Sequence, residues 1–120
     1  MFELFLDTGI LRGRYRACLT DTYLFRENVP AAGLYWLTRG TVELRMGLAA
    51  GQRVMAPALL GSSHLLDGLG RSTARCVGAC EVQVVSRLDI LRKYGRYAYL
   101  RNYLLQCLSQ EVRLHQPHYE

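Results

Sequence analysis

A mainly β domain, a barrel or sandwich of short strands followed by one C-terminal amphipathic helix, is the fold class this sequence predicts. Three observations carry it. Turn signals recur at short intervals, with 11 glycines spread over 120 residues. The segments between them are short and apolar or alternate apolar with polar residues. At Ser86 the pattern changes period, and apolar residues then recur three and four apart. Alternating strand–helix units would need a helical stretch between successive strands, and none is visible before that point.

The elements follow in chain order. "MFELFLDTGIL" is apolar but carries Glu3 and Asp7, and it falls short of the roughly 20 apolar residues a bilayer span requires. "RGRYRACLTDTYLFREN" reads as short strands around a turn at Thr20 and Asp21. "AGLYWLTRGTVELRM" is an apolar run, a turn at Arg39 and Gly40, then alternation from Thr41 to Met46. "LAAGQRVMAPALLG" places a turn at Gly51 and a strand to about Met55, and "RSTARCVGACEVQVVSR" gives two strands broken near Gly78. Ser86 can cap a short helix, "RLDILRKY", that Gly95 interrupts. From Arg96 onward Tyr97, Leu100, Leu104, Cys107, Leu108 and Val112 form one helical stripe, which Pro117 ends. Such a stripe is core or a dimer seam. The expected organisation is a β-rich body over residues 1–95 and a helix over 96–116, with no linker or repeat between them.

Composition narrows the function. Half the residues are hydrophobic, and a chain of this length buries enough surface for a core without staples. The net charge is +5, but the arginines are dispersed from Arg12 to Arg113 in no block longer than two, as on a solvated surface rather than a nucleic-acid patch. No export signal precedes the four cysteines, so a cytoplasmic protein with reduced thiols, and no membrane contact, is expected. Cys76 and Cys80 form a Cx3C pair, read as buried structural thiols or, alternatively, as a redox-reactive pair. His64, His115 and His118 make no HxH or HExxH pattern, and no Ser/His/Asp set, carboxylate pair or P-loop is visible. The expectation is a protein that is not an enzyme and holds no metal or cofactor.

The segment "GSSHLLDGLGRST", residues 61–73, is the most informative. A phosphate held inside a β-barrel needs close backbone approach, amide donors at a helix start and a guanidinium. Gly61, the short "HLLDG" helix, Arg71 and Ser72 fit that geometry.

With those residues in place, the chain resembles the cyclic-nucleotide-binding domain shared by CRP/FNR transcription factors and cyclic-nucleotide-dependent kinases and channels. The resemblance covers about residues 22–112. "YLFRENVPAAGLYWLTRGTVEL" is similar to that family's strand, bulge and strand, with Gly40, Val42 and Leu44 at the turn motif. "GSSHLLDGLGRSTA" resembles its phosphate-binding cassette, "CEVQVVSRLDILRKY" its last barrel strand and following helix, and "YAYLRNYLLQCLSQEVRL" its long dimerisation helix.

The departures are as specific. The cassette carboxylate that contacts the ribose hydroxyl is replaced by Ser62, which removes a charge-assisted bond of about 1.5–3 kcal/mol, one or two decades of affinity. The middle of the barrel, "RMGLAAGQRVMAPALLG", is compact. A shortened barrel with an eroded cassette resembles an atypical enterobacterial branch of these regulators, linked to stress responses. A cysteine cluster of the oxygen-sensing kind is missing near the N-terminus, where only Cys18 stands.

The resemblance implies a double-stranded β-helix (a cupin-like jelly roll) with flanking short helices and a long C-terminal dimerisation helix. It implies the effector domain of a transcriptional regulator, a homodimer through Tyr97, Leu100, Leu104, Cys107 and Leu108. DNA would be contacted only through a winged helix-turn-helix, which lies outside these 120 residues, so a fragment or a stand-alone sensor is expected. The candidate ligand residues are Gly61, Ser62, Arg71 and Ser72, with no response to cyclic nucleotides expected. An anionic metabolite held by Arg71, or a thiol switch at Cys76 and Cys80, are the alternatives. Tyr35, Trp36 or Met55 are candidates to fill the barrel.

Overall fold

The computed structural model describes residues 1–115, with side chains described through Gln110. Two long antiparallel strands organise it, β3 (Gly33–Arg45) and β6 (Thr73–Ser86), paired from Gly33↔Ser86 to Arg45↔Thr73. The shorter strands are laid along them. Between the N-terminus and β3 come α1 (Phe2–Asp7), β1 (Gly13–Cys18) and β2 (Tyr23–Phe25). β1 pairs with the second half of β6, and β2 with its start. β4 (Gln52–Met55) and β5 (Ala58–Leu60) both pair with β3, at Thr41 to Leu44 and at Tyr35 to Leu37 respectively. The chain closes with α2 (His64–Asp67), β6, α3 (Arg87–Tyr94) and α4 (Ala98–His115). The architecture is a mainly antiparallel β body with flanking helices, as a jelly roll requires.

Two expected breaks in the strands are bends instead. No turn forms at Arg39 and Gly40; β3 runs through with bulges between Leu37, Arg39 and Thr41. Gly40 has φ +100°, and a Cβ there would sit 2.7 Å from both the Ala79 carbonyl and Cys80 Sγ. Glycine thus lets β3 lie against β6 while it turns from one half of the roll to the other. β6 is likewise continuous through Gly78, so its expected two strands are one.

Alternation sorts the side chains into two cores. From β3, Tyr35 and Leu37 point into the barrel with Phe25, Val42, Leu60, Cys76, Cys80 and Val82. Leu34 and Trp36 point the other way, toward the helices. Of the three candidates to fill the barrel, Tyr35 does so, Trp36 faces the helical layer and Met55 is 70% exposed.

The helical layer takes up part of the stripe expected as a dimer seam. Leu100 and Leu104 are 0% and 1% exposed within a single chain, packed with Phe2, Phe5, Leu11, Leu34, Val85 and Ile90. Tyr97 packs at the edge of the same cluster. The stripe seals α4 onto its own body, because the outward face of β3 and β6 is itself apolar and needs a cover. α1 completes that cover with Phe2 and Phe5, whose rings lie 6.3 and 6.0 Å from Tyr103. The start of α3 is capped as expected, Ser86 Oγ accepting from the Asp89 amide at 3.1 Å. α4 begins at Ala98 rather than Arg96; the side chain of Val112, and Gln116 and Pro117, lie outside the described part. Among the described residues no helix is long and apolar enough to cross a membrane.

Candidate functional site

A cavity of about 410 Å³ opens where the barrel, the 61–73 segment and α4 meet. Phe25, Leu44, Val54, Leu59 and Leu60 form its apolar wall. Gly61, Ser62 and Ser72 enter from the segment that sequence singled out, and Tyr103, Cys107 and Gln110 from successive turns of α4. Met46, Ala49, Ala50 and Gln52 border it from the β3–β4 connection.

The shape of the segment is set by Gly61 and His64. Gly61 has φ +84°, and a Cβ on it would lie 2.5 Å from His64 Nδ1. The imidazole is 1% exposed; its Nδ1 lies 2.9 Å from the Gly33 carbonyl, which can only accept, so Nδ1 carries the proton. Its ring meets Phe25 edge-on at 4.5 Å. This histidine therefore bolts α2 to the barrel rather than facing a ligand.

Three of the four expected ligand residues meet at the cavity, and the fourth does not. Ser62 and Ser72 are buried on its wall beside Gly61. Arg71 turns away: its guanidinium binds Asp67 Oδ2 at 2.9 Å in an ion pair whose side chains are 44% and 42% exposed. The reason is local, since Asp67 precedes Arg71 by four residues across the Gly68 turn and supplies the nearest anion. Asp67 also accepts from the Leu69 amide, which fixes its carboxylate.

The α4 contribution was missed in the sequence. Tyr103 and Gln110 stand four and three residues from Cys107, at the edge of the Leu100/Leu104 stripe, and that helical spacing around Cys107 was the available signal. Burial raises the Tyr103 hydroxyl above its ordinary range and a hydrogen bond with Cys107 raises it further, so the phenol is neutral at physiological pH.

The remaining thiols lie inside the barrel. Cys18 and Cys80 are opposite one another in register, and Cys76 is buried beside them. Cys80 Sγ donates to the Thr41 carbonyl at 3.2 Å. Burial first, then the hydrogen bond and charge of Cys80, push the Cys76 thiol up to about 12. A protonated, fully buried sulfur is a poor nucleophile, which counts against the redox reading of Cys76 and Cys80. Among the described residues no group of three His, Cys, Asp or Glu is arranged to hold a metal ion.

No family model matches the sequence, and no curated protein matches it as a relative. Solved structures do. The catabolite activator protein of Thermus thermophilus superposes with a TM-score of 0.74 at 23% identity over 90% of this chain, which spans 54% of that protein. The sensor domain of the transcriptional regulator DNR from Pseudomonas aeruginosa gives 0.75 at 22% identity, covering 92% of this chain and 83% of that one. A putative cyclic nucleotide-binding protein from Geobacter metallireducens gives 0.73 at 23% identity, covering 96% and 88%. The fold is that of the cyclic-nucleotide-binding-like domain found in CRP/FNR-type regulators.

Proposed function

We propose that this chain is the effector domain of a CRP/FNR-type transcriptional regulator, working as a relay between a cavity and its terminal helix. One observation carries the reading. α4 is fastened to the body by Leu100 and Leu104 and also forms a wall of the cavity through Tyr103, Cys107 and Gln110. Whatever fills or empties the cavity acts on the same helix that is sealed onto the body. The output is a shift of that helix, read by a DNA-binding domain joined to it, in a cytoplasmic homodimer. The domain binds rather than transforms its ligand.

Pairing would use the face of α4 turned away from the body, where Tyr99 is 82% and Leu105 46% exposed. Cyclic nucleotides are poor candidates for the signal, because Ser62 stands where a carboxylate would read the ribose and Arg71 is held outside by Asp67. The Arg71–Asp67 ion pair also weakens the alternative of an anionic metabolite bound through Arg71.

Hydrogen exchange tests the relay. Ala50 is exposed at the cavity mouth, so Ala50→Trp fills the space without entering the core. Exchange at the α4 amides is expected to change in this variant; identical exchange along the helix would remove the relay. Sedimentation tests the pairing. A dimer converted to monomer by Tyr99→Glu with Leu105→Glu is expected, and a wild-type monomer at tens of micromolar would rule it out.

A further inference from the structure

We infer that the cavity takes an uncharged, largely apolar small molecule with one or two hydrogen-bonding groups. This rests on the sensor reading above and specifies the ligand class for it. The described lining residues are uncharged. Phe25, Leu44, Val54 and Leu60 present hydrocarbon, and Ala49 and Ala50 keep the mouth wide. The polar side chains among the lining residues, Gln52, Ser62, Ser72, Tyr103, Cys107 and Gln110, are all neutral, and among the described residues none that lines the cavity carries a charge. About 410 Å³ falls in the roughly 300–1,000 Å³ of sites that enclose small organic ligands, which are apolar with a few placed polar groups.

An anion fares badly in the same space. Among the described residues lining the cavity, a phosphate would meet hydroxyls and amides but no cation, and an ionised group taken from water without a counter-charge is strongly disfavoured. Arg71 already has its carboxylate at 2.9 Å, so a phosphate would only exchange one exposed ion pair for another while losing its own hydration. An uncharged ligand loses little hydration and gains the whole apolar wall. The neutral groups are also placed to matter: Gln110 and Cys107 belong to α4, so a ligand that bonds them engages the output helix directly.

Cys107 provides the reporter. It is half-buried on the cavity wall, whereas Cys18, Cys76 and Cys80 are buried in the barrel. Nile red, uncharged and apolar, is the probe, and N-ethylmaleimide alkylation of Cys107 is followed by mass spectrometry on the native protein. Nile red is expected to bind one per chain with blue-shifted emission, and at about ten times its Kd to slow alkylation by about tenfold. Ala50→Trp and, separately, Ala49→Trp should weaken it by about tenfold or more without lowering the melting temperature. Millimolar cAMP or cGMP should neither displace it nor protect Cys107.

Displacement or protection by either nucleotide would overturn the inference in favour of an anion site. Nile red that binds both variants as tightly as wild type, or binds without protecting Cys107, would assign it to another surface and also overturn it. The two readings separate cleanly. Absence of Nile red binding, with α4 exchange still responding to Ala50→Trp, refutes the ligand class and keeps the relay. Binding as expected with α4 exchange unchanged by probe or variant refutes the relay and keeps the ligand class.

Discussion

Replacing Gly61 with alanine should destabilise the domain by about 2–5 kcal/mol, because it introduces two separate costs. The first is backbone strain: φ is +84°, and a non-glycine residue in that region costs roughly 1–2 kcal/mol. The second is displacement of His64. A methyl group at 2.5 Å from Nδ1 cannot coexist with the imidazole in place, so the buried bond to the Gly33 carbonyl is lost, at roughly 1–3 kcal/mol. For a domain of this size the sum lowers the melting temperature by about 8–20 °C.

Gly9→Ala is the control, since Gly9 has φ +76° but nothing within 4 Å of the added methyl. It should show the strain alone. Urea denaturation of both variants, and of Gly61→Ala on a His64→Ala background, separates the two costs. In that background the Gly61 substitution should fall to the Gly9 value. If Gly61→Ala and Gly9→Ala agree within about 0.5 kcal/mol in the wild-type background, the histidine does not depend on the glycine and the reasoning fails.

Further outcomes follow from the same structure. Leu104→Ala should cost about 2–5 kcal/mol in urea denaturation, as a fully buried leucine does, and Leu104→Glu should unfold the chain; a folded, monomeric Leu104→Glu would restore that residue to a dimer seam. Arg71→Ala should change stability by no more than about 1 kcal/mol, because its ion pair with Asp67 is exposed, and a larger loss would show a buried role. The Cys76 thiol is raised from 9.0 to about 12, so above pH 9 the folded chain holds a proton that the unfolded chain releases. Stability is therefore present below pH 9 and lost as pH rises from there, by up to about 1.4 kcal/mol per unit for this one group. Urea midpoints should fall less steeply above pH 9 in Cys76→Ala than in wild type; parallel slopes would contradict the assignment. Thiol titration of the native protein should modify Cys107 and leave Cys18, Cys76 and Cys80 until unfolding, and early reaction of Cys76 or Cys80 would revive the thiol switch.

The sequence revealed what is periodic and local. The strands from Gly13 to Phe25, the capped helix after Ser86 and the helical stripe all follow from spacing that a short window contains. The bends at Gly40 and Gly78 looked like chain reversals because a glycine with positive φ serves a turn and a bulge equally, and only the partner strand decides. α1 went unread, although Phe2 and Phe5 stand one helical turn apart, because six residues are too few to show a period. The stripe of Leu100 and Leu104 was legible as buried, but whether it is covered by the chain's own body or by a second copy depends on the outward face of β3. At the site, Gly61, Ser62 and Ser72 were found through the cassette pattern. Arg71 was misplaced because that pattern reads residue type and not the competing carboxylate four residues earlier. Tyr103 and Gln110 reach the cavity from more than 30 residues away in sequence, a juxtaposition that no local window contains.

A thermal melt with and without millimolar cAMP and cGMP shows directly whether the cavity takes a cyclic nucleotide. A ligand at about a hundred times its Kd adds about 2.7 kcal/mol, which raises the midpoint by several degrees. No shift is expected with either nucleotide, in wild type or in Arg71→Ala. A rise of several degrees in wild type that Arg71→Ala abolishes would contradict it, showing that the guanidinium leaves Asp67 and that the cavity is a nucleotide sensor.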